Sequence, residues 1–186
     1  MVAVWGLLAG CVGPACSNST FSAETRSYFL DFKPGDYWIY KNLTNGDIDS
    51  VYFVSQELFS DPQQIGKCQQ EFAEVSYNGF ASLPFSYEVN SWGGEFHASG
   101  RSSGMGFLSQ SSFDIKNDFT AQGVKYDKVI TLTDCCLVGC YKDCPIKTFQ
   151  FDRLYFAPRK GIVRWEASNH PQFGKVVYEL IRTNIS

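Results

Sequence analysis

This sequence has little charge, little histidine and no long apolar run. Only 19% of its 186 residues are charged and the formal net charge is -3, so it lacks the basic character of a nucleic-acid-binding protein. With 2 His residues, any metal or catalytic site built on histidine would be minimal. No apolar run reaches the roughly 18 residues of a membrane-spanning helix. These absences exclude several functions without indicating one.

The composition that remains is that of a folded domain. Hydrophobic residues make up 44% of the chain and aromatic residues 16%, which argues against disorder. A chain of this length is expected to form one domain with a well-buried core.

The start of the chain is an apolar segment that ends in small side chains. Residues 1–10 read MVAVWGLLAG and are followed by Cys11, a pattern typical of an export signal. No Lys or Arg precedes the apolar residues, which leaves open a start upstream of Met1 and a truncated signal. We therefore divide the chain into a signal peptide at 1–10, a flexible tether rich in small and polar residues at 11–27, and one domain at 28–186.

The sequence Leu8-Ala9-Gly10-Cys11 resembles the lipobox of bacterial lipoproteins. The resemblance implies cleavage before Cys11, diacylglycerol on its sulfur, and a fatty acyl group such as palmitate on the new amino group. Such an anchor is stable because each buried methylene contributes about 0.8 kcal/mol. Val12 then implies sorting to the outer membrane, with the domain facing the periplasm. The alternative is a buried first strand or helix that happens to contain a cysteine.

Most of the chain after residue 28 alternates between apolar and polar residues. Residues 85–90, 124–132 and 176–180 show this period of two, with Gly- and Asn-rich breaks between the segments. The pattern predicts an antiparallel all-β fold, either a curved half-barrel or a β-sandwich. One short helix at 62–72 is left open, because Asp61-Pro62 is typical of a helix start while Gly66 weakens a helix.

A hairpin is predicted in the first part of this domain, because Asn45-Gly46 favours a two-residue turn. This turn would pair Trp38 with Phe53, and it would make both faces of the ribbon apolar. A ribbon of this kind is typical of a sheet within a core or around a cavity. One face carries the candidate ligand-binding residues, which are Trp38, Tyr40, Val51 and Phe53. Filling the core is the plainer interpretation of each of them.

The cysteines predict disulfide bonds. Of 7 Cys, six remain once Cys11 carries lipid, namely Cys16, Cys68, Cys135, Cys136, Cys140 and Cys144. An even number in an exported chain favours disulfides, whose pairing the sequence leaves open. The cluster at 135–144 would also suit a thiolate metal site, but zinc sites usually have a C-x2-C spacing and this loop contains no histidine. We therefore expect neither a metal nor a cofactor.

One motif would suit an enzyme. Residues 100–104 read GRSSG and match G-x-S-x-G, the nucleophile elbow of α/β-hydrolases, with Ser102 as nucleophile and His170 as candidate base. The elbow works only at a sharp turn from a strand into a helix, whereas the residues after Gly104 are a poor helix start. We therefore expect no catalytic residues and keep a Ser102 hydrolase as the least favoured alternative.

Two further segments resemble uncharacterised lipoproteins of the Bacteroidetes. Residues 32–40 (FKPGDYWIY) resemble their opening strand, and residues 154–164 (LYFAPRKGIVR) resemble their closing hairpin. The resemblance implies no activity. The implied architecture is similar to the lipoprotein carriers and the lipocalins, in which a curved sheet holds an apolar ligand, and this is an analogy of folds only.

Together these features predict a membrane-anchored, non-enzymatic protein that binds an apolar ligand or a lipid in the bacterial envelope. Its predicted partners are the membrane, through Cys11, and an apolar small molecule or an envelope protein. The main alternative is a structural protein that holds a protein partner.

Overall fold

A computed structural model describes residues 20–62, 69–80, 83–90, 97–102, 105–108, 114–133, 150–170 and 173–185. In chain order, the elements are α1 (Ala23–Phe29), β1 (Tyr37–Asn42), β2 (Ile48–Pro62), β3 (Gln69–Phe80), β4 (Leu83–Asn90), β5 (His97–Ser102), β6 (Met105–Leu108), β7 (Asp114–Lys116), β8 (Phe119–Ala121), β9 (Val124–Tyr126), β10 (Val129–Thr133), β11 (Gln150–Ala157), β12 (Gly161–His170) and β13 (Gly174–Thr183). Within these ranges, no helix is both long enough and apolar enough to cross a membrane.

The strands form one large antiparallel sheet and a small ribbon. The sheet has 11 strands in the order β6-β5-β4-β3-β2-β1-β13-β12-β11-β10-β7, and β8 pairs with β9. The sheet curls, since β6 at one edge contacts β11 in the other half, as expected for a large twisted sheet. The predicted antiparallel all-β class is confirmed, and the architecture is the curved half-barrel.

The alternating pattern places the core on the concave face of this sheet. In β4, Phe85, Tyr87 and Val89 are buried, and in β13 Val176, Tyr178 and Leu180 are buried. The residues between them point to the opposite face, because side chains alternate along a strand. The period of two therefore identified the inward-facing residues of both strands correctly.

The short helix lies at α1 and not at 62–72. Pro62 ends β2, residues 69–72 begin β3, and residues 63–68 are outside the described part of the chain. The helix left open for 62–72 does not form at either end of that range, because the two segments pair as strands, with Asp61 opposite Gln70. The stacked rings of Phe59 and Phe72, whose centroids are 5.4 Å apart, support this pairing.

The folded part of the chain begins before the expected boundary at residue 28. Ser22 is the N-cap of α1, and its Oγ accepts a hydrogen bond from the Thr25 N–H at 3.0 Å. A helix of 7 residues is too short to be stable alone. Tyr28 and Phe29 stabilise it by burying their rings against the sheet. The last residues of the predicted tether at 11–27 therefore belong to the domain.

The strands β1 and β2 form the expected hairpin in a different register. Trp38 pairs with Val51 and Tyr40 with Asp49, whereas a two-residue turn would have paired Trp38 with Phe53. Because the register differs by two residues, every side chain keeps its predicted face.

The turn of this hairpin is longer than expected, because backbone and side-chain hydrogen bonds within residues 42–47 hold a wider loop. The Asn42 N–H donates to the Asp47 carbonyl at 2.8 Å, and the Gly46 N–H donates to the Asn42 carbonyl at 2.9 Å. The Asn45 side chain accepts from the Asp47 N–H at 3.0 Å. Within the turn, Gly46 takes a positive φ of 81°, whereas a tight turn needs positive φ at both central residues.

Candidate functional site

The four predicted ligand-binding residues come together on the concave face. Trp38, Tyr40, Val51 and Phe53 are each 6% exposed or less. The Trp38 indole N–H donates to the Lys160 carbonyl at 2.6 Å, and the Tyr40 hydroxyl donates to the Ile162 carbonyl at 2.7 Å. In this structure the protein's own atoms cover all four side chains, which corresponds to the core-filling interpretation.

These residues belong to a larger aromatic surface that sequence reasoning missed. The Tyr77 ring lies 5.3 Å from Trp38 and 5.7 Å from Tyr87. The Tyr87 ring in turn lies 5.7 Å from Phe156, which belongs to a strand far along the chain. We call the set Trp38, Tyr77, Tyr87 and Phe156 the aromatic floor. It gives the half-barrel a continuous apolar inner surface that includes polar hydroxyl groups.

The helix α1 covers this floor. Phe29 is fully buried, and its ring lies 4.7 Å from Phe156 and 6.1 Å from Tyr87. The helix is held by an ion pair between Glu24 and Lys128 at 3.6 Å and by hydrogen bonds to its last turn. The Tyr87 hydroxyl donates to the Phe29 carbonyl at 2.9 Å, the Tyr28 hydroxyl donates to the Lys128 carbonyl, and the Arg159 N–H donates to the Ser27 carbonyl at 2.6 Å. The cover is thus a single short element that contacts the floor through Phe29.

The buried hydroxyls of the concave face stay protonated. Burial raises the pKa of Tyr40 and of Tyr87 well above the ordinary tyrosine value, and the neighbouring Tyr77 adds to the shift of both. Burial likewise raises the pKa of Tyr77. A neutral tyrosine can donate a hydrogen bond but cannot act as a base near neutral pH. These groups can therefore orient a polar atom but do not provide acid–base chemistry.

The ionisable groups concentrate on the opposite, convex face. Glu166 is 5% exposed, and its carboxylate accepts from the Tyr155 hydroxyl at 2.9 Å and from the Arg164 guanidinium at 2.8 Å and 3.1 Å. Arg153 approaches the other carboxylate oxygen at 3.4 Å. Burial would raise the pKa of the Glu166 carboxyl, but the Tyr155 hydrogen bond and the two guanidinium groups together lower it below its usual value.

A second buried carboxylate joins this network and holds the β8–β9 ribbon. Glu179 receives the Arg164 guanidinium at 3.1 Å on one oxygen. Its other oxygen accepts from the backbone N–H of Gln122 at 3.0 Å and from the Gln122 side chain at 3.1 Å. The Phe119 ring of the ribbon stacks on Tyr155, with centroids 5.1 Å apart. Burial raises the pKa of Tyr155 to about 12, and the Glu166 hydrogen bond and charge contribute.

The hydrogen bonds of this network indicate a structural role. Each of the four oxygens of the two carboxylates has a donor within 3.4 Å, so the network links Tyr155, Arg164 and Gln122 through the two carboxylates. Among the described residues, no group of three or more His, Cys, Asp or Glu side chains is placed to hold a metal ion. The convex network therefore fixes the ribbon to the sheet.

Three acidic residues form a row across the outer face of β2, β3 and β4. Glu57 lies opposite Glu74, and Glu74 lies opposite Glu88. All three are exposed. Like charges directly opposite on neighbouring strands are destabilising, so the row reduces stability and makes this part of the outer face acidic.

The hydrolase motif lies in a connection between two strands. β5 ends at Ser102 and β6 begins at Met105, and Ser102 pairs with Met105. The element that follows the motif is thus a strand, whereas the nucleophile elbow needs a helix at that place. His170 ends β12, and the two remaining residues of the motif, Ser103 and Gly104, are outside the described ranges.

The predicted lipidation and disulfide residues are outside the part of the chain that the structure describes. They are Cys11, Cys16, Cys68, Cys135, Cys136, Cys140 and Cys144. Their predicted roles stay predictions. Comparison with known proteins finds no matching family model, no matching curated protein and no matching solved structure.

Proposed function

We propose that the protein is an outer-membrane lipoprotein, anchored through Cys11 and facing the periplasm, that binds an apolar ligand or lipid without enzymatic chemistry. The ligand site is the aromatic floor of the half-barrel, in the space that the Phe29 side chain fills. One observation carries this proposal. A continuous aromatic surface is covered, over Tyr87 and Phe156, by a helix of only 7 residues, whose Phe29 ring and carbonyl both contact Tyr87.

The cover and its position in the chain support an exchange between helix and ligand. α1 follows directly after the residues that would link it to the anchor at Cys11. Moving it away would expose the Tyr87 hydroxyl, which now donates to the Phe29 carbonyl. That hydroxyl could then donate to the polar end of a ligand. An acyl chain would replace the apolar contacts of Phe29, because the driving force depends mainly on the apolar area removed from water.

The convex face favours a binding protein over an enzyme. Its buried carboxylates already have hydrogen-bond donors on every oxygen. A general acid or base needs a free position within reach of a substrate. The buried hydroxyls of Tyr77 and Tyr87 stay protonated, and the two carboxylates are engaged with Tyr155, Arg164 and Gln122, which supports binding over acid–base catalysis.

The anchor is tested by the intact mass of protein extracted from the membranes of its native host. We expect a chain that begins at Cys11 and carries the added mass of diacylglycerol and one acyl group. A chain that keeps Met1, carries no acyl mass and dissolves in buffer without detergent would contradict this part of the proposal.

The ligand site is tested by loosening the cover. Tyr28→Phe removes the hydroxyl that donates to the Lys128 carbonyl, a contribution of about 1 kcal/mol. If a ligand must displace α1, the apparent affinity for dansyl-labelled undecanoic acid should rise about fivefold, because the open state becomes more populated. Fluorescence titration of the full chain measures this change.

Tyr126→Phe is the matched control, since it removes a hydroxyl from the β8–β9 ribbon on the other face. Its affinity for the labelled fatty acid should equal that of the parent chain. Equal affinities in all three proteins, or no binding by any of them, would rule out a ligand site beneath α1 and leave the anchor untouched.

A further inference from the structure

The long hairpin of β2 and β3 leaves one strand edge open. β1 pairs with β2 only as far as Tyr52, which lies opposite Tyr37. The Phe53 N–H still donates to the Asp36 carbonyl at 3.0 Å. From Val54 to Pro62, β2 has β3 on one side and, among the described residues, no strand on the other. We call residues 54–62 the free edge.

The free edge exposes three apolar side chains. Val54, Leu58 and Phe59 are 52%, 51% and 45% exposed. A long exposed edge with apolar side chains is a template for pairing with another strand. The free edge contains no Lys, the charged residue that most often prevents such pairing, but it does contain Glu57, Asp61 and Pro62, so only a register that separates these charges can pair.

One buried polar atom on this edge has no partner. The Gln56 side-chain carbonyl oxygen is enclosed and accepts no hydrogen bond. Gln56 lies opposite Val75, Leu58 opposite Ala73 and Ser60 opposite Glu71, so these three residues of the edge share the inner face. Enclosing an acceptor without a donor costs free energy, and that cost would be removed if the Gln56 side chain turned outward to a donor on a strand paired along the free edge.

We propose that the free edge pairs with the free edge of a second copy of this chain, antiparallel and centred on Leu58. A two-fold axis through Leu58 joins the two sheets with their inner faces on the same side. Leu58 then lies opposite its own copy, Gln56 opposite Ser60, and Glu57 opposite Phe59. The Ser60 hydroxyl of one copy can donate to the orphaned Gln56 oxygen of the other.

Charge selects this register over its neighbours. Moving the two-fold axis from Leu58 to Glu57 places Glu57 opposite its own copy. Moving the axis to Phe59 places Glu57 opposite Asp61 of the other copy. Both alternatives set like charges directly across from one another, which is destabilising. Centring on Leu58 avoids both contacts.

The experiment uses the full chain with Cys11→Ser under reducing conditions, so that neither lipid nor disulfides contribute to association. Sedimentation equilibrium should show a dimer. Leu58→Lys should raise the dimer dissociation constant at least tenfold, because it places two ammonium groups opposite each other. Val124→Lys is the matched control, since Val124 is 51% exposed on the β8–β9 ribbon, and it should leave the constant unchanged.

The register has its own test in mixed variants. Leu58→Lys and Leu58→Glu should each be monomeric alone and should form a heterodimer when mixed, because residue 58 lies opposite residue 58. A monomeric parent chain, equal weakening by Leu58→Lys and Val124→Lys, or no recovery on mixing would each overturn the proposal. None of these outcomes depends on lipidation or on ligand binding, so failure here is separate from failure of the proposed function.

Discussion

Replacing Gly79 with alanine is expected to cost more than about 3 kcal/mol of unfolding free energy, or to prevent folding. Gly79 has a φ of +121°, and a Cβ atom there would lie 2.0 Å from the Ser50 carbonyl oxygen and 3.0 Å from the Val51 Cα. Neither backbone atom can withdraw easily, because this part of β2 pairs with β1 on its other side, with Ser50 opposite Ile39. Urea denaturation of the variant measures the loss.

Gly35→Ala separates the clash from the backbone strain. Gly35 has a φ of +97°, but a Cβ atom there would meet nothing within 4 Å. This variant should lose only the strain of a positive φ, about 1–2 kcal/mol. Equal losses in the two variants would show that the contact with β2 is not what requires glycine at position 79.

The sequence predicts those parts of this fold in which a local pattern is sufficient. A strand with one buried face shows its period of two directly, as β4 and β13 do. The turn at residues 158–161 between β11 and β12 was also foreseeable. Arg159 and Gly161 take positive φ there, and Gly161 provides the residue type that such a turn favours.

Local pattern fails where the backbone changes direction without a glycine or proline. The alternating segment 124–132 predicts one strand, but it contains the end of the β8–β9 ribbon and the start of β10. Lys128 takes a φ of +55° between them, and a lysine gives no sign of this conformation. The Lys128 carbonyl accepts from the Tyr28 hydroxyl, a contact between residues 100 positions apart that no local pattern contains.

The candidate site was predictable in part for the same reason. Four of its side chains lie on one hairpin, and their shared face follows from alternation. Tyr87, Phe156 and Phe29 join them only through the order of strands in the sheet and the position of α1. Ser22 was the available signal for that helix, since serine is a favoured N-cap, but the small and polar residues before it resemble a tether.

Replacing Arg164 with methionine is expected to cost about 3 kcal/mol at neutral pH, because it leaves two buried carboxylates without their shared cation. Arg164 contacts both Glu166, at 2.8 Å, and Glu179, at 3.1 Å. Arg153→Met is the matched control. Its side chain is 45% exposed and lies 3.4 Å from Glu166, so its loss should cost less than about 1 kcal/mol. Urea denaturation of both variants measures the difference.

The pH dependence of this stability loss tests whether the charge of Arg164 is its cause. In the parent chain the lowered pKa of Glu166 means that its stabilising contribution is complete above the ordinary glutamate value, about 4.3, and is lost as the pH falls through the lower value of the folded state. Without Arg164, its charge and its hydrogen bond no longer lower the pKa of this carboxyl, while burial still raises it. Its folded-state pKa then moves upward, and protonation relieves the buried charge. The stability difference between parent and Arg164→Met should therefore be largest at neutral pH and smaller at about pH 4. A difference that stays constant between these conditions would mean that Arg164 stabilises the sheet through packing of its aliphatic stem, and the ion network would not be what holds the ribbon in place.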